Sequence, residues 1–137
     1  MRSLAIFLLL AAAPAAASDA PAPALSVELN AAAQEADACR LTFVVENGLG
    51  ADLTSAVFET VLFDRAGQVL TLTLFDFQDL PAGRPRVRQF DIPATDCGAL
   101  GRILLNDAGA CEGEGIAPGA CMDALRWRSR TGIEVQG

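Results

Sequence analysis

The chain has 137 residues, a net charge of −7 and no histidine, tyrosine or lysine. Without histidine or lysine a serine nucleophile has no activator and a Schiff base no amine, so any catalysis falls to carboxylates or cysteine, and the expectation is a protein that is not an enzyme. The acidic balance argues against nucleic acid as a partner, since neutralising phosphates supplies most of that affinity.

At the start, Arg2 precedes the apolar run Leu4 to Leu10, and Pro14-Ala15-Ala16-Ala17 follows. One positive charge, an apolar stretch far short of the roughly 20 residues of a membrane span, and an Ala-x-Ala ending read as a secretory signal peptide over residues 1–17. Cleavage near Ala17 places the mature protein in the periplasm or outside the cell. No cysteine stands at the cleavage site to carry a lipid, and after Leu10 no apolar run is long enough for a transmembrane segment. The remaining stretch of about 120 residues suits one domain over residues 25–137, preceded by a flexible leader at 18–24, Ser-Asp-Ala-Pro-Ala-Pro-Ala.

Leu25-Ser26-Val27-Glu28-Leu29 alternates with the period of a half-buried strand, and Cys39 to Asn47 continues it with Leu41, Phe43 and Val45 on one face. Ala56 to Asp64 and Val69 to Phe75 flank Asp64-Arg65-Ala66-Gly67, a hairpin signal in which Gly67 takes the left-handed conformation. Gly48-Leu49-Gly50 precedes a strand instead of a helix, so it is a turn and not a dinucleotide loop. After the turn Pro81-Ala82-Gly83 comes a strand from Arg86 to Ile92, where Val87 has one parity and Phe90 and Ile92 the other; burying all three requires a β-bulge near Gln89. Gly101 to Asn106, Leu125 to Arg130 and a short piece at Ile133 to Val135 are further strands, and Pro118 to Leu125 supports one or two helical turns. About seven short strands punctuated by turns predict an all-β, immunoglobulin-like antiparallel β-sandwich.

Cys39, Cys97, Cys111 and Cys121 all follow the signal peptide. In an exported chain an even set of this kind forms two disulfides, and with no Cys-x-x-Cys pair and no histidine a metal role is not expected. Of three possible connectivities the favoured one joins Cys111 to Cys121, closing a Gly- and Pro-rich loop, and Cys39 to Cys97. No cofactor is expected.

Two arginine segments stand out: Arg84-Pro85-Arg86-Val87-Arg88 and Arg126-Trp127-Arg128-Ser129-Arg130. Arginines two apart project from one side of a strand. If the two strands are neighbours, Arg84, Arg86, Arg88, Arg126, Arg128 and Arg130 form a basic stripe for an anionic partner, with Trp127 offering a stacking face. The plainer alternative is a solvated sheet face whose arginines pair with Glu46, Glu59 or Asp64 while Trp127 joins the core. Asp107, Glu112 and Glu114 lie on a Gly-rich stretch at 106–115 that is a calcium candidate, although its spacing matches no EF-hand loop.

Three segments, Asn47 to Leu53, Val61 to Val69 and Leu80 to Gly83, resemble FxLyD-type and related immunoglobulin-like domains of secreted bacterial proteins over roughly residues 41–92. Leu62, Phe63 and Asp64 match the Leu, aromatic and Asp positions of that motif, while Thr60 stands where Phe is expected. The resemblance implies a fold and a non-catalytic module, with no shared active site. Together these readings give an exported binding or accessory module held by two disulfides, with a protein partner in the cell envelope. A calcium-dependent glycan binder or a carboxylate-dependent enzyme is the alternative.

Overall fold

Alternating burial carries the chain into two stacked four-stranded sheets, seen in a computed structural model that describes residues 12–16 and 21–137. Residues 12–16 are irregular and exposed; the other residues of the expected signal peptide, and residues 18–20 of the expected leader, lie outside the described residues. The first sheet contains β1 (Ala24–Glu35), β2 (Ala38–Gly48), β5 (Arg86–Ile92) and β7 (Leu125–Ser129), in the order β5-β2-β1-β7. In the second, β3 (Ser55–Asp64), β4 (Val69–Asp76), β6 (Leu100–Glu112) and β8 (Glu134–Gln136) run in the order β4-β3-β6-β8. The fold is an all-β sandwich.

The expected elements are present, and the differences have local causes. β1 runs on to Glu35 because Ala31 to Glu35 pair with Thr42 to Ala38 beyond a bulge at Asn30, although that alanine-rich stretch has no alternation to announce it. β6 likewise continues to Glu112, its small and polar residues drawn into the sheet along the length of β3 with three register shifts. The helical segment shrinks to one turn, α1 (Ala120–Asp123), since Leu125 already pairs with Leu25. Both last strands depart from antiparallel pairing: β7 runs parallel to β1, and β8 parallel to β6. No bulge forms at Gln89, because β5 pairs with β2 in unbroken register and Val87 points outward beside Val44. The hairpin between β3 and β4 closes with Gly67 at φ 83°, as the turn chemistry requires.

The inner faces share one core. Leu25, Val27 and Leu29 from β1 and Leu41, Phe43 and Val45 from β2 meet Phe58 and Leu62 from β3 and Ile103 and Leu105 from β6. Toward β4 and β5 the filling is aromatic. Phe43 makes edge-on contacts with Phe75, Phe77 and Phe90, and Phe75 stacks on Phe90 at 4.2 Å between centroids, joining the outermost strands of the two sheets.

Both disulfides have the favoured pairing. Cys39 on β2 bonds Cys97 in a 3-10 turn (Cys97–Ala99), anchoring the crossover from β5 to β6, while Cys111 at the end of β6 bonds Cys121 in α1. Their sequence separations of 58 and 10 residues correspond, by loop entropy, to about 4 and about 3 kcal/mol of stabilisation.

Candidate functional site

β1 and β7 run parallel with Glu28 directly opposite Arg128, and this register builds the most highly charged corner of the first sheet. Val27 and Trp127 face the sandwich interior, so Ser26, Glu28 and Asn30 share the outer face with Arg126, Arg128 and Arg130. The Glu28 side chain is only 8% exposed, covered by its neighbours. Its Oε1 accepts hydrogen bonds from Asn30 Nδ2 and Arg130 Nε, each at 3.0 Å, and Arg128 Nε lies 2.5 Å from Oε2. The Asn30 hydrogen bond is the strongest influence holding the Glu28 carboxyl below its ordinary pKa; Arg128 and Arg130 act in the same direction, against the upward push of burial.

One carboxylate therefore serves two guanidiniums. Arg126 has no carboxylate partner among the described residues; its Nη1 donates to its own strand at Leu125 O. A shallow groove of about 220 Å3 runs beside these side chains, lined by Ser26, Glu28, Val44, Glu46, Arg126 and Arg128. It offers exposed guanidinium donors, a form suited to carboxylate or phosphate oxygens.

The other arginine segment is elsewhere. β5 and β7 lie at opposite edges of the same sheet with β2 and β1 between them, so the condition for a single stripe across neighbouring strands is not met. The two triplets also differ in facing. Arg86 pairs with buried Val45 and Arg88 with buried Phe43, so both follow the inward parity of Phe90 and Ile92 on the edge strand. Arg88 is committed to structure: it is 16% exposed, donates to Phe77 O at 2.7 Å and Asp79 O at 2.8 Å, and lies 3.7 Å from the Asp79 carboxylate. It clasps the segment after β4 to β5. Arg84 is exposed in the turn before β5, and Arg86 Nη1 donates to Pro85 O.

Trp127 is not part of the core and lines the groove with Arg126 and Arg128. It has the interior parity but sits on the edge strand, 43% exposed, with Gly137 and Leu125 beside it. The arginines do not pair with Glu46, Glu59 or Asp64; the carboxylates they find are Glu28, Asp79, and, for Arg40, Asp91 and Glu35. Arg40 holds Asp91 bidentately at 2.7 and 3.0 Å, and this hydrogen-bonded contact lowers the Asp91 pKa and raises that of Arg40.

The calcium candidate is not assembled. Asp107 and Glu112 are part of β6, opposite Glu59 and Ser55, and only Glu114 lies in the loop beyond, because the stretch read as a Gly-rich loop is drawn into the sheet. Among the described residues no three His, Cys, Asp or Glu side chains gather as a metal site would need. No helix among the described residues is long and apolar enough to cross a membrane.

Glu28 escaped the sequence reading. Its outward parity on β1 is legible, but its arginine partners lie about a hundred residues away on a strand whose parallel pairing the sequence does not announce. No family model, curated protein or solved structure matches the chain.

Proposed function

We propose that this is an exported, non-catalytic binding module of the cell envelope that takes an acidic face of a protein partner at the β7 edge. The observation that carries this reading is the charge count at that edge: three exposed arginines against buried Glu28 and, across the groove, exposed Glu46, in a molecule of net charge −7. Such an imbalance favours association with carboxylates by steering and by bidentate hydrogen bonds. The two disulfides fit an oxidising compartment, and the sequence supplies no histidine, lysine or tyrosine for the usual acid–base chemistry.

Mild crosslinking in the envelope fraction tests the partner. An acidic protein captured by the wild-type chain and lost with Arg126→Ala/Arg128→Ala/Arg130→Ala supports the site, whereas an identical captured set for both rejects it. Export is tested separately by intact mass. A chain starting at Ser18 and about 4 Da lighter than its reduced form is expected for two bridges; uncleaved material with free thiols contradicts it.

A further inference from the structure

β4 is an edge strand that pairs only with β3, and nothing among the described residues covers its other side. From Ala66 to Phe75 the sequence carries no charge and no proline, and the pairing of β4 with β3 is regular from Thr71 to Asp76. Edge strands that stay single are usually blunted by a charge, a proline or a bulge. This one carries only a bulge at Leu70, itself 48% exposed, and past it exposes Leu72 and Leu74 at 69 and 62% on the outer face, with Thr71 and Thr73 on the other. The edge also borders an open groove of about 490 Å3, walled on its far side by Asp91 to Asp96.

We propose that β4 is a two-fold interface: two copies of this chain pair antiparallel along β4, joining their second sheets into one continuous sheet. The argument is the complementarity of the strand with itself. With Leu72 on the axis, Leu72 faces Leu72 of the second copy, Thr71 faces Thr73, and Leu74 meets Leu70 at the bulge. Opposite residues of an antiparallel pair project to the same face, so every leucine meets a leucine and every threonine a threonine. The charges agree: Asp76 falls against the uncharged run Ala66 to Gln68 beyond the bulge and not against another carboxylate. Centring the axis on Thr73 sets Leu70 against Asp76, and centring it on Thr71 carries Leu74 past the bulge to the turn residues before Val69. A segment with no net charge is also where two copies of a −7 molecule approach with least repulsion. The pairing is isologous and closes after two copies.

Because one strand edge covers less than the roughly 800 Å2 per partner of a standard interface, the dimer is expected to depend on concentration. Sedimentation of the oxidised full chain over a concentration series should show the mass moving from one chain to two. Leu72→Lys places two ammonium groups on the axis and should raise the dissociation constant at least tenfold; Leu72 is exposed, so circular dichroism and melting of the lone chain should be unchanged. Single cysteines check the register. Leu72→Cys should crosslink to itself under oxidation, while Leu70→Cys should not, its two copies being about 14 Å apart along the strand. A single-chain mass at every concentration, a dimer indifferent to Leu72→Lys, or preferential crosslinking through Leu70→Cys overturns the proposal. None of these outcomes bears on the β7 site, at the edge of the other sheet.

Discussion

At β7 the outermost strand of one sheet, with Arg130 just after it, presents three arginines above a nearly buried carboxylate, whereas at β4 the outermost strand of the other presents leucines and threonines without a charge from Ala66 to Phe75. The two edges also differ in what lies beneath them. β4 rests on the aromatic cluster of Phe43, Phe75, Phe77 and Phe90, while five-residue β7 buries Leu125 and is held on its outer side by Glu28. Charge on an edge repels strand addition but needs a counter-ion to stay in place; an apolar edge needs no counter-ion and stays open to another strand. Firm anchoring of β4 over the aromatics thus leaves a template that is regular from Thr71 to Asp76, and the thinner anchoring of β7 makes its geometry depend on one carboxylate.

Phe43→Ala strikes the β4 side hardest. Phe43 is fully buried and touches three other rings, so its truncation should cost about 3–5 kcal/mol by denaturant unfolding. Amide exchange should quicken more in β4 and β5 than in β7.

Removing the disulfides separates the two sides in the same way. Cys39→Ala/Cys97→Ala, which frees the crossover after β5, should cost about 4 kcal/mol, and Cys111→Ala/Cys121→Ala, which frees the connection leading into β7, about 3 kcal/mol. Paired denaturant titrations read the order, and an equal or reversed cost would show that loop length is not what governs them.

Glu28 governs the β7 edge through pH. Its pKa is lower folded than the ordinary 4.5, so its contribution is present above that value and is lost as pH falls through the lower folded one. Glu28→Gln should leave a shallower loss of stability below about pH 4.5, with faster amide exchange in β7 at neutral pH and little change in β4. A variant whose acid limb matches the wild type would remove Glu28 as the anchor.

The smallest effect is expected for Arg40→Ala, outside both edges. The Asp91 contact is bidentate but its partners are 36 and 50% exposed, so water screens it, and the melting temperature should fall less than for any change above.

Much of this architecture is legible along the chain. Period-two burial in Leu25 to Leu29 and Leu41 to Val45 marks β1 and β2, and Asp64 to Gly67 marks the hairpin. The strand pattern fails where its premise fails. Val87 looks like a core residue and is an outward one, because the inner face of edge strand β5 continues from Phe90 into Arg88, whose stem covers the core while its head clasps Phe77 and Asp79. Residues 106–112 look like a loop and are strand, because the length of β3 recruits them. Val69 to Phe75 is legible as a strand but its facing is not: Phe75 reaches into the core and turns Leu72 and Leu74 outward.

The sequence by itself determined the fold class, the favoured disulfide pairing and the narrow set of chemistries open to the protein, because these follow from local periodicity, turn residues and which side chains are present. Only the tertiary structure decided which arginines share a surface, which carboxylate holds them and which face of β4 meets solvent. Those depend on strand order and register, set by pairings between segments up to about a hundred residues apart, as between Glu28 and Arg130, and a one-residue slip in such a pairing turns every side chain to the other face.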